Sequence, residues 1–267
     1  MRDTVHLYWA VATRAFRRQL TYRAANLAGL FTNCCFGYLR AVVFFAVYAA
    51  QRQVAGYDLS DTVTFTWVTQ ALLMVVALWG WWEIEETIQS GDVVSDLAKP
   101  FSYLGFWLVR DYGRALAFVF SRCLPILLIG QLTFGLRWPR RLETWLFFAV
   151  SVFLAITISF GWRFMINVSA FWTTDARGLG GLASIVITLL SGLIVPLPYF
   201  PAAVRPVLLV LPFAGLIQTP ADLFLEHRVG AAALTALAQQ AVWATVFLVA
   251  SRSLLAVAVR RVVVQGG

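Results

Sequence analysis

Apolar runs long enough to cross a lipid bilayer recur along the chain, at about 24–50, 63–82, 115–135, 145–171, 182–197 and 229–249. About 20 helical residues match the ~30 Å hydrocarbon layer, and a continuous helix satisfies every backbone amide there without water. A membrane strand needs only about 10 residues of alternating polarity, so a barrel is disfavoured. With 60% hydrophobic and 13% charged residues among 267, the chain has more apolar surface than one soluble core could hide. The reading is an all-α integral membrane protein of six spans forming one domain over 1–267.

Residues 4–22 precede the first span. At 100° per residue Val5, Trp9, Ala12, Phe16 and Leu20 fall on one side, and Arg14, Arg17 and Arg18 on the other. That is the pattern of a helix lying in the membrane interface with its arginines toward anionic headgroups. No short apolar core with a small-residue cleavage site accompanies these arginines, so no cleaved signal peptide is expected. Cys34, Cys35 and Cys123 lie in apolar runs and read as buried free thiols.

The most charged stretch follows the second span. Glu83, Glu85 and Glu86 come first, Ser90-Gly91-Asp92 breaks the helix, and Asp96, Lys99 and Pro100 lead onward. An interfacial helix over 101–114 is expected to feed the third span. Six of the nine prolines fall between Pro196 and Pro220, too many for a straight span, so 198–228 reads as a re-entrant hairpin of short helices.

Placing both termini in the cytosol puts twelve basic residues inside and six outside, counting Lys99 and the flanking arginines, and sets the acidic segment inside. Arg40, Arg122 and Arg163 remain within spans. Arg40 and Arg163 are expected to snorkel to an interface, and Arg122, set deeper, is the candidate contact on a substrate path or for an acidic partner.

Several activities are disfavoured. Nothing resembles a phosphate loop ending in Gly-Lys-Ser/Thr, because Lys99 stands between Ala98 and Pro100; any ATPase must be a separate chain. His6 and His227 have no ligands at metal spacing, so neither a metal site nor a catalytic residue is expected. All thirteen acidic residues are assigned to loops, termini or interfacial segments, which argues against ion coupling. Although the net charge is +8, the arginines are dispersed, so nucleic acid is not an expected partner.

Ile88-Gln89-Ser90-Gly91-Asp92-Val93-Val94-Ser95-Asp96-Leu97-Ala98-Lys99-Pro100 with Tyr103-Leu104 resembles the Ser-Gly-acidic…Leu-x-Lys-Pro signature of a type-2 ABC permease family that includes viologen-exporter-like proteins. Leu211-Pro212-Phe213 with Thr219-Pro220 is similar to that family's extracytoplasmic re-entrant segment. Val94 departs from the polar residue often found there. The resemblance implies a small permease of a bacterial inner membrane, half of the translocation path of an ATP-driven exporter. Residues 83–97 would be a cytosolic coupling helix, with Glu83, Glu85, Glu86, Gln89, Ser90, Gly91 and Asp92 facing the ATPase. The implied partners are an ATPase dimer carrying ATP and Mg, a second permease of the same or another sequence, and the bilayer. An ion-coupled carrier or channel, and a non-transporting membrane subunit, stand as alternatives.

Overall fold

The apolar runs become helices wherever glycine and proline leave them unbroken. The computed structural model describes residues 2–173 and 175–261; Thr174, in the link between spans four and five, lies outside them. In chain order the helices are α1 (Arg2–Thr21), α2 (Arg23–Ala50), α3 (Leu59–Val76), α4 (Glu83–Ser90), α5 (Val93–Leu97), α6 (Tyr103–Phe118), α7 (Leu124–Phe134), α8 (Leu142–Val168), α9 (Ala170–Thr173), α10 (Arg177–Leu190), α11 (Arg205–Val210), α12 (Gln218–Phe224) and α13 (Ala231–Ala258). Among the described residues five helical stretches are long and apolar enough to cross a membrane: Arg23–Ala50, Leu59–Val76, Tyr103–Phe134, Leu142–Thr173 and Ala231–Arg261.

Two expected elements take a different form. No separate interfacial helix precedes the third span, because α6 continues into α7 through a π-helical turn, Val119–Cys123, which absorbs the register change without ending the helix. The fifth span is the 14-residue α10, about 21 Å long and short of a full crossing. It stops at Ser191, and Gly192 takes the left-handed conformation at φ +84° beside Gln218.

α3 is the central helix. It is buried along most of its length, and Trp67, Val68, Leu72, Val75 and Val76 pack with residues of α6, α7, α8 and the hairpin segment. α8 pairs closely with α13, where Gly161 lies against Phe247, and α1 lies along α6, where Gly113 lets the Ala12 carbonyl approach.

The broken backbone of 191–225 is bonded rather than left bare, as a low-dielectric setting demands. Gln218 N–H donates to the Ser191 carbonyl (2.9 Å), and its side-chain oxygen accepts from Leu197 N–H (2.8 Å). Gln240 donates to the Gly215 carbonyl (2.7 Å), Gln239 to that of Leu209 (2.7 Å) and Trp243 to that of Val210 (2.9 Å). Three α13 side chains thus replace the ladder that the prolines remove.

Candidate functional site

The second span ends where Ala77 turns left-handed (φ 55°), and residues 77–82 run without helix, so the expected span over 63–82 is cut at Val76. This frees carbonyls at the end of α3, and polar side chains from α6 and α8 take them. Arg114 donates to the carbonyls of Met74 (2.6 Å) and Val75 (3.1 Å), Ser159 to that of Ala77 (2.8 Å) and Asn167 to that of Trp81 (2.8 Å).

Behind these bonds lies one carboxylate. Asp111 accepts from Arg114 Nε (2.6 Å) on one oxygen and from Arg163 Nη2 (2.7 Å) on the other, and both Asp111 and Arg163 are buried. Arg163 also donates to Ser159 Oγ (3.2 Å) and lies over the Trp81 ring. Two sequence expectations are corrected here. Asp111 is an acid buried within the long helix 103–134, not in an interfacial segment, and Arg163 turns inward to it rather than snorkelling. Paired charges can remain in a low-dielectric interior where a lone one cannot, and here the pairing carries the arrangement although Arg163 Nη1 makes no hydrogen bond.

The acidic segment emerges from this mounting. Ile84 is fully buried and packs with Val93, Tyr103, Trp107, Phe160, Phe164 and Val168 in a small core of its own. Glu83 takes Arg18 of α1 (2.9 Å) and Arg110 of α6 (2.5 Å), tying three helices together. The charge of Glu83 holds the Arg18 guanidinium above its ordinary pKa. Glu85 is fully buried: one oxygen accepts from Ala176 N–H (2.9 Å) and Gln89 Nε2 (3.1 Å), while its own N–H donates to Asn167 (3.0 Å). Two of the seven residues expected to face a partner therefore mount the segment instead.

The exposed remainder is contiguous. Glu86, Gln89, Ser90, Gly91 and Asp92 lie at the tip, with Val94 and Ser95. Gly91 ends α4 at φ +82°, donating to the Ile88 carbonyl (3.3 Å), and Ser90 Oγ donates to Asp92 (2.8 Å). Buried Val93 anchors the returning α5. The result is a short, rigid projection with an acidic, hydroxyl-rich tip.

On α1, Arg14 and Arg17 are exposed and only Arg18 reaches the projection; Val5 and Trp9 are exposed as well. Arg122 sits in the π-helical turn, its guanidinium donating to the Ala25 carbonyl (3.0 Å), lying over Phe118 and pressing against Gly29. No carboxylate pairs with it among the described residues.

Sequence reasoning missed the mounting: Asp111, Arg114, Ser159, Arg163 and Asn167. Its signal was available as Ser159, Arg163 and Asn167 at intervals of four, a polar stripe on an otherwise apolar helix.

A family model described as ABC-2 family transporter protein matches residues 37–266. No curated protein matches the chain.

Proposed function

The chain belongs to the ABC-2 transporter family, a multi-pass membrane permease component of an ABC transporter, and from that premise we propose that it forms half of the translocation path of an ATP-driven exporter. The projection over 83–97 is its coupling helix. A separate ATPase dimer carrying ATP and Mg grips the tip, and a second permease, the same chain or another, completes the path. Both termini face the cytosol of a bacterial inner membrane, and α1 lies in the interface with Arg14 and Arg17 toward headgroups.

The observation that carries this reading is the mounting of the projection. A coupling element must transmit force rather than bend, and here Glu83 and Glu85 bind it to α1, α6 and the start of α10 while Asn167 and Arg114 bind its root to α8 and α6. The exposed residues of the tip are Glu86, Gln89, Ser90, Gly91 and Asp92.

The test uses the permease co-purified with its natural ATPase and reconstituted in liposomes. Glu86→Lys with Asp92→Lys should leave insertion and thermal stability unchanged while lowering permease-stimulated ATP hydrolysis and export at least tenfold. Unchanged stimulation and export would remove the tip from the coupling surface.

A further inference from the structure

Of the three arginines within spans, Arg163 is neutralised by Asp111, and Arg122, which also lacks a carboxylate, is buried against the start of α2 with its guanidinium over Phe118. Arg40 is different. It lies ten residues from the end of α2 at Ala50, about 15 Å along the helix axis, which sets it well inside the hydrocarbon layer. Instead of snorkelling, it donates through Nη2 to the carbonyl of Leu193. Among the described residues no carboxylate pairs with it, and its side chain is only half-buried.

A guanidinium without a counter-charge is costly within the bilayer, so such a group is drawn to an anion or water rather than lipid tails. A second copy of this chain does not offer that anion. The buried acids Asp61, Asp111 and Asp222 are each bonded to cations within their own chain, and Glu85 is enclosed at the root of the projection. The other described acids, Asp58, Glu83, Glu86, Asp92, Asp96, Glu143, Asp175 and Glu226, lie in short helices, in links or at the first turn of a long helix, away from mid-span.

The backbone at Arg40 is itself discontinuous. Leu193 lies in the non-helical stretch between α10 and the hairpin, beside left-handed Gly192, and broken helices at membrane depth are tolerated where they line a cavity. On the preceding turns of α10 an open cleft of about 360 Å³ is lined by Trp79, Ser184, Ile185, Thr188 and Leu189, a surface suited to an apolar tail.

We propose that Arg40 is the anion-recognition point of the translocation path, and that the transported class is amphiphiles carrying a carboxylate, sulfate or phosphate. The proposal rests on the reading of the chain as half of a path, but its test needs no ATPase and so fails or succeeds separately from that reading. The permease is reconstituted in nanodiscs of neutral lipid and titrated with 11-(dansylamino)undecanoic acid and with its primary amide. Wild type should bind the acid at least tenfold tighter than the amide. Arg40→Gln, which keeps an N–H donor for the Leu193 carbonyl, should bring the acid down to the amide's affinity, and Arg40→Lys should keep most of the preference. Equal binding of acid and amide by wild type would overturn the proposal and leave a carboxylate on a different permease as the partner of Arg40; so would a preference that survives in Arg40→Gln. Should Arg40→Gln fail to fold, an environment-sensitive fluorophore on Ile194→Cys, in a chain whose native cysteines are alanine, reads the same site. It should respond to laurate and not to dodecanamide, and no response to laurate overturns the assignment.

Discussion

The two ends of the bundle meet the same problem with different chemistry. At the root of the projection the broken end of α3 is held by a hub of one carboxylate and two arginines, with Asp111 between Arg114 and Arg163. At the opposite end of α3 the hairpin is held by a spread of polar groups. Asp61 takes Arg137 (2.7 Å) and His227 (3.2 Å). Asp222 accepts from Tyr57 and from Gln218 (2.7 Å), with Arg228 at 3.5 Å. Tyr48, Thr62 and Tyr199 extend the same network. The first arrangement concentrates the countercharge on one carboxylate, whereas the second divides it over two carboxylates and many donors. Concentration favours a stiff mounting for the projection; division lets the hairpin tolerate the loss of any one contact.

That contrast is broken most directly at Asp111. Asp111→Ala leaves Arg163 buried and both arginines without their counter-charge, which should cost about 3–5 kcal/mol and appear as loss of folded protein on detergent gel filtration. Asp111→Leu with Arg163→Met removes the fully buried pair together and leaves only Arg114 unpaired, still bonded to the Met74 and Val75 carbonyls, so it should recover part of the folded protein. A single Asp111→Ala chain of wild-type stability would mean the hub is not the mounting. At the other end, Tyr57→Phe removes a hydroxyl that donates to Asp222 and accepts from Gln218 (2.9 Å). Since Asp222 keeps its other donors, the expected loss is smaller, about 1.5–3 kcal/mol, read as a lowered Tm with assembly retained. If Tyr57→Phe proved as damaging as Asp111→Ala, the proposed division of roles between the two ends would collapse.

Much of the molecule was legible from its sequence because hydropathy and proline act locally. The apolar runs located the long helices, Ser90-Gly91 located the break between α4 and α5, and six prolines located the segment that no straight helix could occupy. What escaped was set by contacts distant in sequence. Asp111 and Arg163 are 52 residues apart, and neither reads as membrane-buried until the other neutralises it. Glu83, Glu85 and Glu86 stand within four residues of one another, so nothing in the sequence separates the two that mount the segment from Glu86 at its tip. The shortness of α10 was hidden for the reverse reason. The apolar run continues through Pro196 although the helix ends at Leu190, because hydropathy records depth and not helicity.

The mildest probe of the comparison concerns Glu226, which ties the hairpin end to the approach of α8. Arg141 precedes α8 and makes no side-chain cap. Glu226 fixes the approach to the helix instead: its Oε1 accepts from the N–H groups of Arg140 (3.1 Å) and Arg141 (3.0 Å), just before the first turn, and from Thr144 Oγ1 (3.1 Å) within it. Burial pushes its carboxyl pKa upward, but these donors and the charge of Arg141 outweigh that and hold it below the ordinary glutamate value. A carboxylate whose folded pKa is depressed contributes stability that is fully present above its unfolded pKa, about 4.3, and is lost as pH falls through the lower folded value. Glu226→Gln keeps an acceptor but not the charge, so the Tm of wild type should exceed that of Glu226→Gln by a constant margin from pH 8 to about 5. The margin should close below about pH 4, where wild type has lost the charge too. A margin that persisted unchanged into acid would show that shape rather than charge makes the tie, and would remove the carboxylate of Glu226 from the interactions holding the hairpin to α8.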